Sequence, residues 1–209
     1  MASLPFLASA AASAVSLAFT LPAVSPPPAA PVEAPPAPVV VEEVATVPMW
    51  VLPGATPVER TIIIALQRRG IDDPNAIAVV LGNVKQESRF HPNICEGGKR
   101  ISYWNCTRGG YGLIQWTSQD RVDGLARHAR VKGLDPSKAE AQISYLFTEW
   151  QWDAVEPYLQ QGGYSIDHYM NKTYRWIGWG IHGRRTVYAH NYAAELVSED
   201  IPVTEIPDA

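Results

Sequence analysis

Through Val58 the chain has no lysine, arginine or histidine, and over its full 209 residues it has only two cysteines. The first absence removes the basic n-region with which a secretory signal normally begins. The cysteines, Cys95 and Cys106, have no histidine or further cysteine at ligand spacing, which argues against zinc. No metal and no organic cofactor are expected. A broad positive field is also missing, since the formal net charge is −4 and the pI about 5.7, so nucleic acid is a poor partner. Lys99, Arg100 and Arg108 are a local exception, read either as a solvated loop or as a patch that attracts an acidic polymer. Strict two-residue alternation is too short anywhere to define a strand.

What is present divides the chain in two. Twelve of the 18 prolines lie at or before Val58, whereas all 17 basic residues, 18 of the 21 acidic ones, six of seven tryptophans and all nine tyrosines come after it. Residues 1–24 form a hydrophobic leader whose uncharged run Leu4 to Val24 fits an export signal, a membrane anchor or a low-complexity arm. Residues 25–55 form a Pro-rich linker that reads as a stiff extended spacer. Residues 56–200 make one domain and 201–209 a tail. A domain of that size buries roughly 70% of its unfolded-chain surface.

Helix punctuation is legible in the domain. Thr56-Pro57-Val58-Glu59 supplies a cap, a proline at the first helical position and a glutamate three residues after the cap, predicting a helix that stops at Gly70. Asp73-Pro74 and Asp135-Pro136 predict two more starts by the same chemistry, and Thr117 with Asp120 a weaker one ending near Gly133. A short helix over 153–161 is interrupted by Pro157; Ser165 caps another reaching Trp176, and the last runs from Arg184 to Glu199. The fold class is therefore mainly α, with irregular structure or a small hairpin between Phe90 and Tyr111.

In the second helix Ile77, Val80, Leu81 and Val84 form a stripe at i, i+3, i+4 and i+7. At 100° per residue, Glu87 falls about 80° from Ile77, at the edge of that stripe and in the last turn. An apolar surround and the negative helix end both disfavour a charged carboxylate there. Such an acid suits protonation of a glycosidic oxygen near neutral pH. A solvated Glu87, paired with Lys85 or Arg89, is the plainer alternative.

Gln86-Glu87-Ser88, preceded by Leu81-Gly82-Asn83, is followed by Tyr111-Gly112-Leu113-Ile114-Gln115-Trp116-Thr117 and then by Gln142-Ile143-Ser144-Tyr145-Leu146 to Glu149. In this order the three motifs resemble the phage tail lysozyme family, within the lysozyme-like superfamily that includes lytic transglycosylases. The resemblance implies a helical lysozyme-like domain with a cleft for peptidoglycan, and Glu87 as the catalytic acid. It implies substrate binding by Ser88, Tyr111, Gly112, Gln115 and Trp116: Gly112 for close backbone approach, Gln115 for hydrogen bonds, Tyr111 or Trp116 for apolar faces.

Glu96, nine residues beyond Glu87, is the best candidate for a second carboxylate, ahead of Asp120 and Asp123. A separation of about 6.5 to 9.5 Å from Glu87 predicts inversion by water, about 5 to 5.5 Å a nucleophile. With no second carboxylate, a lytic transglycosylase is the alternative; a non-catalytic wall-binding or virion structural module is another. Cys95 and Cys106 bound the loop carrying Glu96, either as a disulfide in an oxidising compartment or as two free thiols. In the aromatic segment Tyr174 to His182, His182 reads as structural. Arg184 and Arg185 open a helix against its dipole and suit a carboxylate, within the protein or on the substrate. An enzyme with this substrate works on a virion or after export.

Overall fold

The computed structural model describes residues 44–107 and 109–205. The hydrophobic leader, the spacer through position 43, Arg108 and the last four residues of the tail lie outside that range.

The domain is mainly helical, with two small antiparallel strand pairs. Helix α1 (Pro57–Arg68) opens with the expected capping box: Thr56 Oγ1 accepts from Glu59 N at 3.3 Å while Glu59 Oε2 accepts from Thr56 N at 2.9 Å. Helix α2 (Pro74–Ser88) is capped by Asp73, whose Oδ1 accepts from Asn75 N at 2.8 Å. After α2 come β2 (Ile94–Cys95) and β3 (Lys99–Arg100), a short hairpin in the region expected to be irregular, and a 3-10 turn at Tyr103–Asn105. Helices α3 (Gln119–Lys132), α4 (Ala139–Leu146), α5 (Trp150–Asp153), α6 (Glu156–Gln161), α7 (Ile166–Ile177) and α8 (Arg185–Glu195) follow.

Four boundaries differ from the sequence reading. The N-cap of α3 is Ser118, not Thr117. Asp135-Pro136 opens a turn instead of a helix: Asp135 Oδ1 accepts from Ser137 N at 2.8 Å, and α4 begins only at Ala139. Asp153 ends α5 instead of opening the next helix, which is α6 from Glu156, with Pro157 in its first turn, where its missing N–H costs nothing. The last helix stops at Glu195, and β4 (Val197–Pro202) pairs antiparallel with β1 (Thr46–Val51), a stretch that composition had placed in the spacer. Long-range pairing, invisible to local periodicity, makes both strands.

Helix α2 is enclosed by α1, α7 and α8, so residues Ala76 through Leu81 are all at most 1% exposed. What looks like a stripe is burial on every side, as the unbroken run Ala76-Ile77-Ala78-Val79-Val80-Leu81 allows. Gly82 lets α8 approach: a Cβ there would lie 2.6 Å from Arg185 O and 2.8 Å from Ala189 N. That close crossing carries the start of α8 to the end of α2.

Candidate functional site

Glu87 stands in the last turn of α2 with its side chain 17% exposed, and Arg185 in the first turn of α8 pairs with it, Nη2 to Oε1 at 2.7 Å. The guanidinium is otherwise committed. Nη1 donates to Asn83 Oδ1 at 3.0 Å, Nε to His182 O at 2.7 Å and Nη2 to Ile181 O at 3.3 Å, and the Trp179 ring lies 4.5 Å away. Asn83, one turn before Glu87, is itself held by Nδ2 bonds to Val79 O and Thr173 Oγ1. Gln86 adds a third link, since its Oε1 accepts from Arg184 N at 2.8 Å. Three polar residues at the end of α2 thus grip the entry to α8 and leave one side of a carboxylate toward solvent. Arg185 meets the expected carboxylate within the protein.

Among the described residues, only Arg89, Phe90 and Gln115 combine a side chain with positive φ, at 52°, 63° and 53°. Arg89 and Phe90 follow directly on Gln86-Glu87-Ser88, and Gln115 lies within the second motif. Arg89 is the left-handed cap of α2, and Phe90 is held by burial against Tyr192 at 6.2 Å between ring centroids. Strain of this kind, about 1 to 3 kcal/mol per residue, persists where surrounding structure over-determines it.

The second motif is a closed turn. Tyr111 and Trp116 exchange backbone bonds at 3.1 and 3.0 Å, and Gln115 Nε2 donates to Gly112 O at 2.9 Å and Ile94 O at 3.3 Å. Here the expected substrate contacts need correction. Trp116 is fully buried and donates Nε1 to Glu149 Oε2 at 2.9 Å, while Arg121 binds both oxygens of that glutamate, so its ring is not open to a sugar. Tyr111 is 1% exposed, its hydroxyl donating to Ile101 O, and burial pushes its phenol up from the ordinary value. Ser88 is buried; its Oγ donates to Val84 O and accepts from Phe90 N, holding the chain reversal. Gly112, at φ 78°, makes its close approach to Gln142, whose side chain would lie 2.5 Å from an added Cβ. Gln142 in turn accepts from Leu113 N and donates to Pro92 O and Pro136 O, which explains the third motif. Gln115 alone of the five is only partly buried.

Glu96 is exposed and folds back on its own loop: its N–H donates to Gly110 O at 2.8 Å and its Oε2 accepts from Gly110 N at 3.0 Å. Cys95 and Cys106 are joined by a disulfide across this loop. Among the described residues, Glu87 and Glu96 have no hydrogen-bonding partner in common. Asp123 accepts from Gln119 Nε2, and Asp120 sits in the first turn of α3. Arg185 is the residue whose role the sequence left unspecified. The available signals were an arginine opposing a helix dipole and an asparagine four residues before Glu87.

A buried central helix ending in a partly exposed glutamate, together with a strained glycine-rich turn, defines a helical protein of lysozyme-like type. The family model described as phage tail lysozyme matches residues 58–176, more than half of the chain, and the chain belongs to that family. Membership implies lysozyme-like action on peptidoglycan. No curated protein and no solved structure matches the chain. Trp179, His182 and Arg185 lie beyond the matched segment. Among the described residues no helix is long and apolar enough to cross a membrane.

Proposed function

We propose that the protein cleaves the β-1,4 bond between MurNAc and GlcNAc by general acid catalysis, with Glu87 protonating the glycosidic oxygen. One observation carries this reading: a carboxylate open on one side is bonded on the other to a buried guanidinium with four hydrogen bonds. Arg185 engages Oε1 and leaves Oε2 to hold the proton. Once the proton has moved to the leaving oxygen, the guanidinium stabilises the carboxylate that remains. Glu96, in the loop closed by Cys95 and Cys106, is the candidate that then orients water toward the oxocarbenium-like sugar. Gln115 borders the same loop and is the substrate contact retained from the second motif.

Glu87→Gln keeps shape and hydrogen-bonding capacity but cannot supply the proton, and it should lower clearance of purified peptidoglycan by about 10² to 10⁴-fold. Unchanged clearance overturns the assignment. A protein that never clears the wall, with or without Glu87, is a binding module instead. If the sugar's own hydroxyl replaces water, anhydro ends appear in the product mass spectrum and the enzyme is a lytic transglycosylase.

The family's description and the location of peptidoglycan outside the cytoplasmic membrane support delivery on a virion, with the N-terminal segment as attachment. Peptides from this chain should then be found in purified particles by mass spectrometry. Their presence only in culture medium from uninfected cells indicates export instead.

A further inference from the structure

A groove of about 600 Å³ opens between the 3-10 turn and α3, lined by Tyr103, Trp104, Asp123, Arg127, Arg130 and Asp135 among others. It shares no residue with the Glu87 arrangement. Its size is that of small-ligand sites, which span roughly 300 to 1,000 Å³.

Trp104 is 71% exposed, yet it stands on a fixed base. Its ring meets Tyr103 edge-on at 4.9 Å and 87°. Tyr103 is anchored at both ends, its N–H donating to Ser137 Oγ at 2.8 Å and its hydroxyl to Val122 O at 2.9 Å. The disulfide to Cys95 secures the turn immediately after it. A large aromatic ring displayed on rigid support presents an apolar face at little conformational cost, which suits the C–H face of a pyranose.

The charges around the ring are unequally committed. Asp123 already accepts from Gln119 Nε2 at 2.8 Å, and Asp135 from Ser137 N at 2.8 Å. Among the described residues Arg127 and Arg130 belong to no ion pair. One helical turn apart on α3, they offer two guanidinium groups beside an open aromatic ring. That combination complements a ligand bearing both a sugar face and a carboxylate.

We infer that this groove is a second saccharide site that holds a carboxylate-bearing muramyl unit of the wall polymer, stacked on Trp104 and paired with Arg127 and Arg130. The inference rests on the wall-cleaving reading for its choice of sugar. It gives the enzyme a hold on the polymer separate from the cleaving site.

The probe is the soluble muropeptide GlcNAc-MurNAc-dipeptide, titrated calorimetrically into the full chain carrying Glu87→Gln, with neutral chitobiose alongside. Adding Trp104→Ala, or Arg127→Gln with Arg130→Gln, should weaken muropeptide binding about tenfold or remove one binding event. Chitobiose should be bound more weakly than the muropeptide and be insensitive to the arginine changes. Val131→Ser, exposed on the same helix outside the groove, should bind like its parent. Variants that melt like the parent and bind the muropeptide unchanged overturn the inference, as does a parent that does not bind it. Trp104-dependent binding in a protein whose unmutated form clears no wall leaves this site standing and removes the wall-cleaving reading. Glu87-dependent clearance with Trp104-independent binding does the reverse.

Discussion

The Glu87 side and the Cys95–Trp116 side of the molecule are built by opposite means. On the first, an acid is held by Arg185, 98 positions away, which is braced by Asn83 and through it by Thr173, at a helix crossing that only Gly82 permits. On the second, a loop holds itself through a disulfide, a two-residue hairpin, backbone exchange between Tyr111 and Trp116, and Glu96 folded onto Gly110. The contrast teaches where each wall is vulnerable. The acid depends on tertiary packing that brings two helix ends together, whereas the loop depends on local closure of a short stretch of chain.

The largest break is expected from Arg185→Ala, which leaves Asn83 Oδ1 and the Glu87 carboxylate without their common partner. Because Glu87 keeps some solvent contact, the loss is expected to be about 3 kcal/mol, at the low end for a broken buried pair, with clearance falling as well. Denaturant unfolding measures the first and turbidity the second. A fully active, equally stable variant would show that the acid is held by something other than α8.

Next comes the joint change Cys95→Ser and Cys106→Ser. Releasing a short loop should cost roughly 2 to 3 kcal/mol, with faster amide exchange concentrated between 95 and 116 and little change around Glu87. Exchange that rises equally at both walls would dissolve the contrast.

The smallest effect sharpens it. Arg89 is exposed and left-handed, so Arg89→Gly should stabilise the fold by about 0.5 to 1 kcal/mol by relieving strain, without loss of clearance. Calorimetric melting checks the sign. A destabilised variant would mean that the Arg89 side chain contributes to this end of α2 through contacts beyond its backbone.

Legibility followed the range of the interactions. Thr56, Asp73 and Ser165 announce helices in the structure because a cap is chemistry between residues two or three apart. Asp135 misleads for the same reason, since an aspartate before a proline also satisfies its oxygen in a turn. Strands β1 and β4 escaped because each exists through the other, across the whole domain. At the site, Glu87, Gln115 and Gln142 stood out as motif members, but the tasks of Tyr111, Gly112 and Trp116 were read outward when their side chains or close contacts point inward. An aromatic beside a glycine-rich turn has the same sequence whether it faces a ligand or Glu149.

From its order of residues alone the chain determined that it is a helical domain behind a proline-rich leader, that it belongs with lysozyme-like proteins, and that Glu87 closes a buried helix. Those properties arise from caps, apolar runs and short motifs, whose physics acts over a few positions. Tertiary structure alone decided that Arg185 binds Glu87, that Trp116 belongs to the core, and that Trp104 stands exposed beside the guanidinium groups of Arg127 and Arg130. Each depends on which distant surfaces meet, because a charge or a ring acquires its role only from what is packed against it.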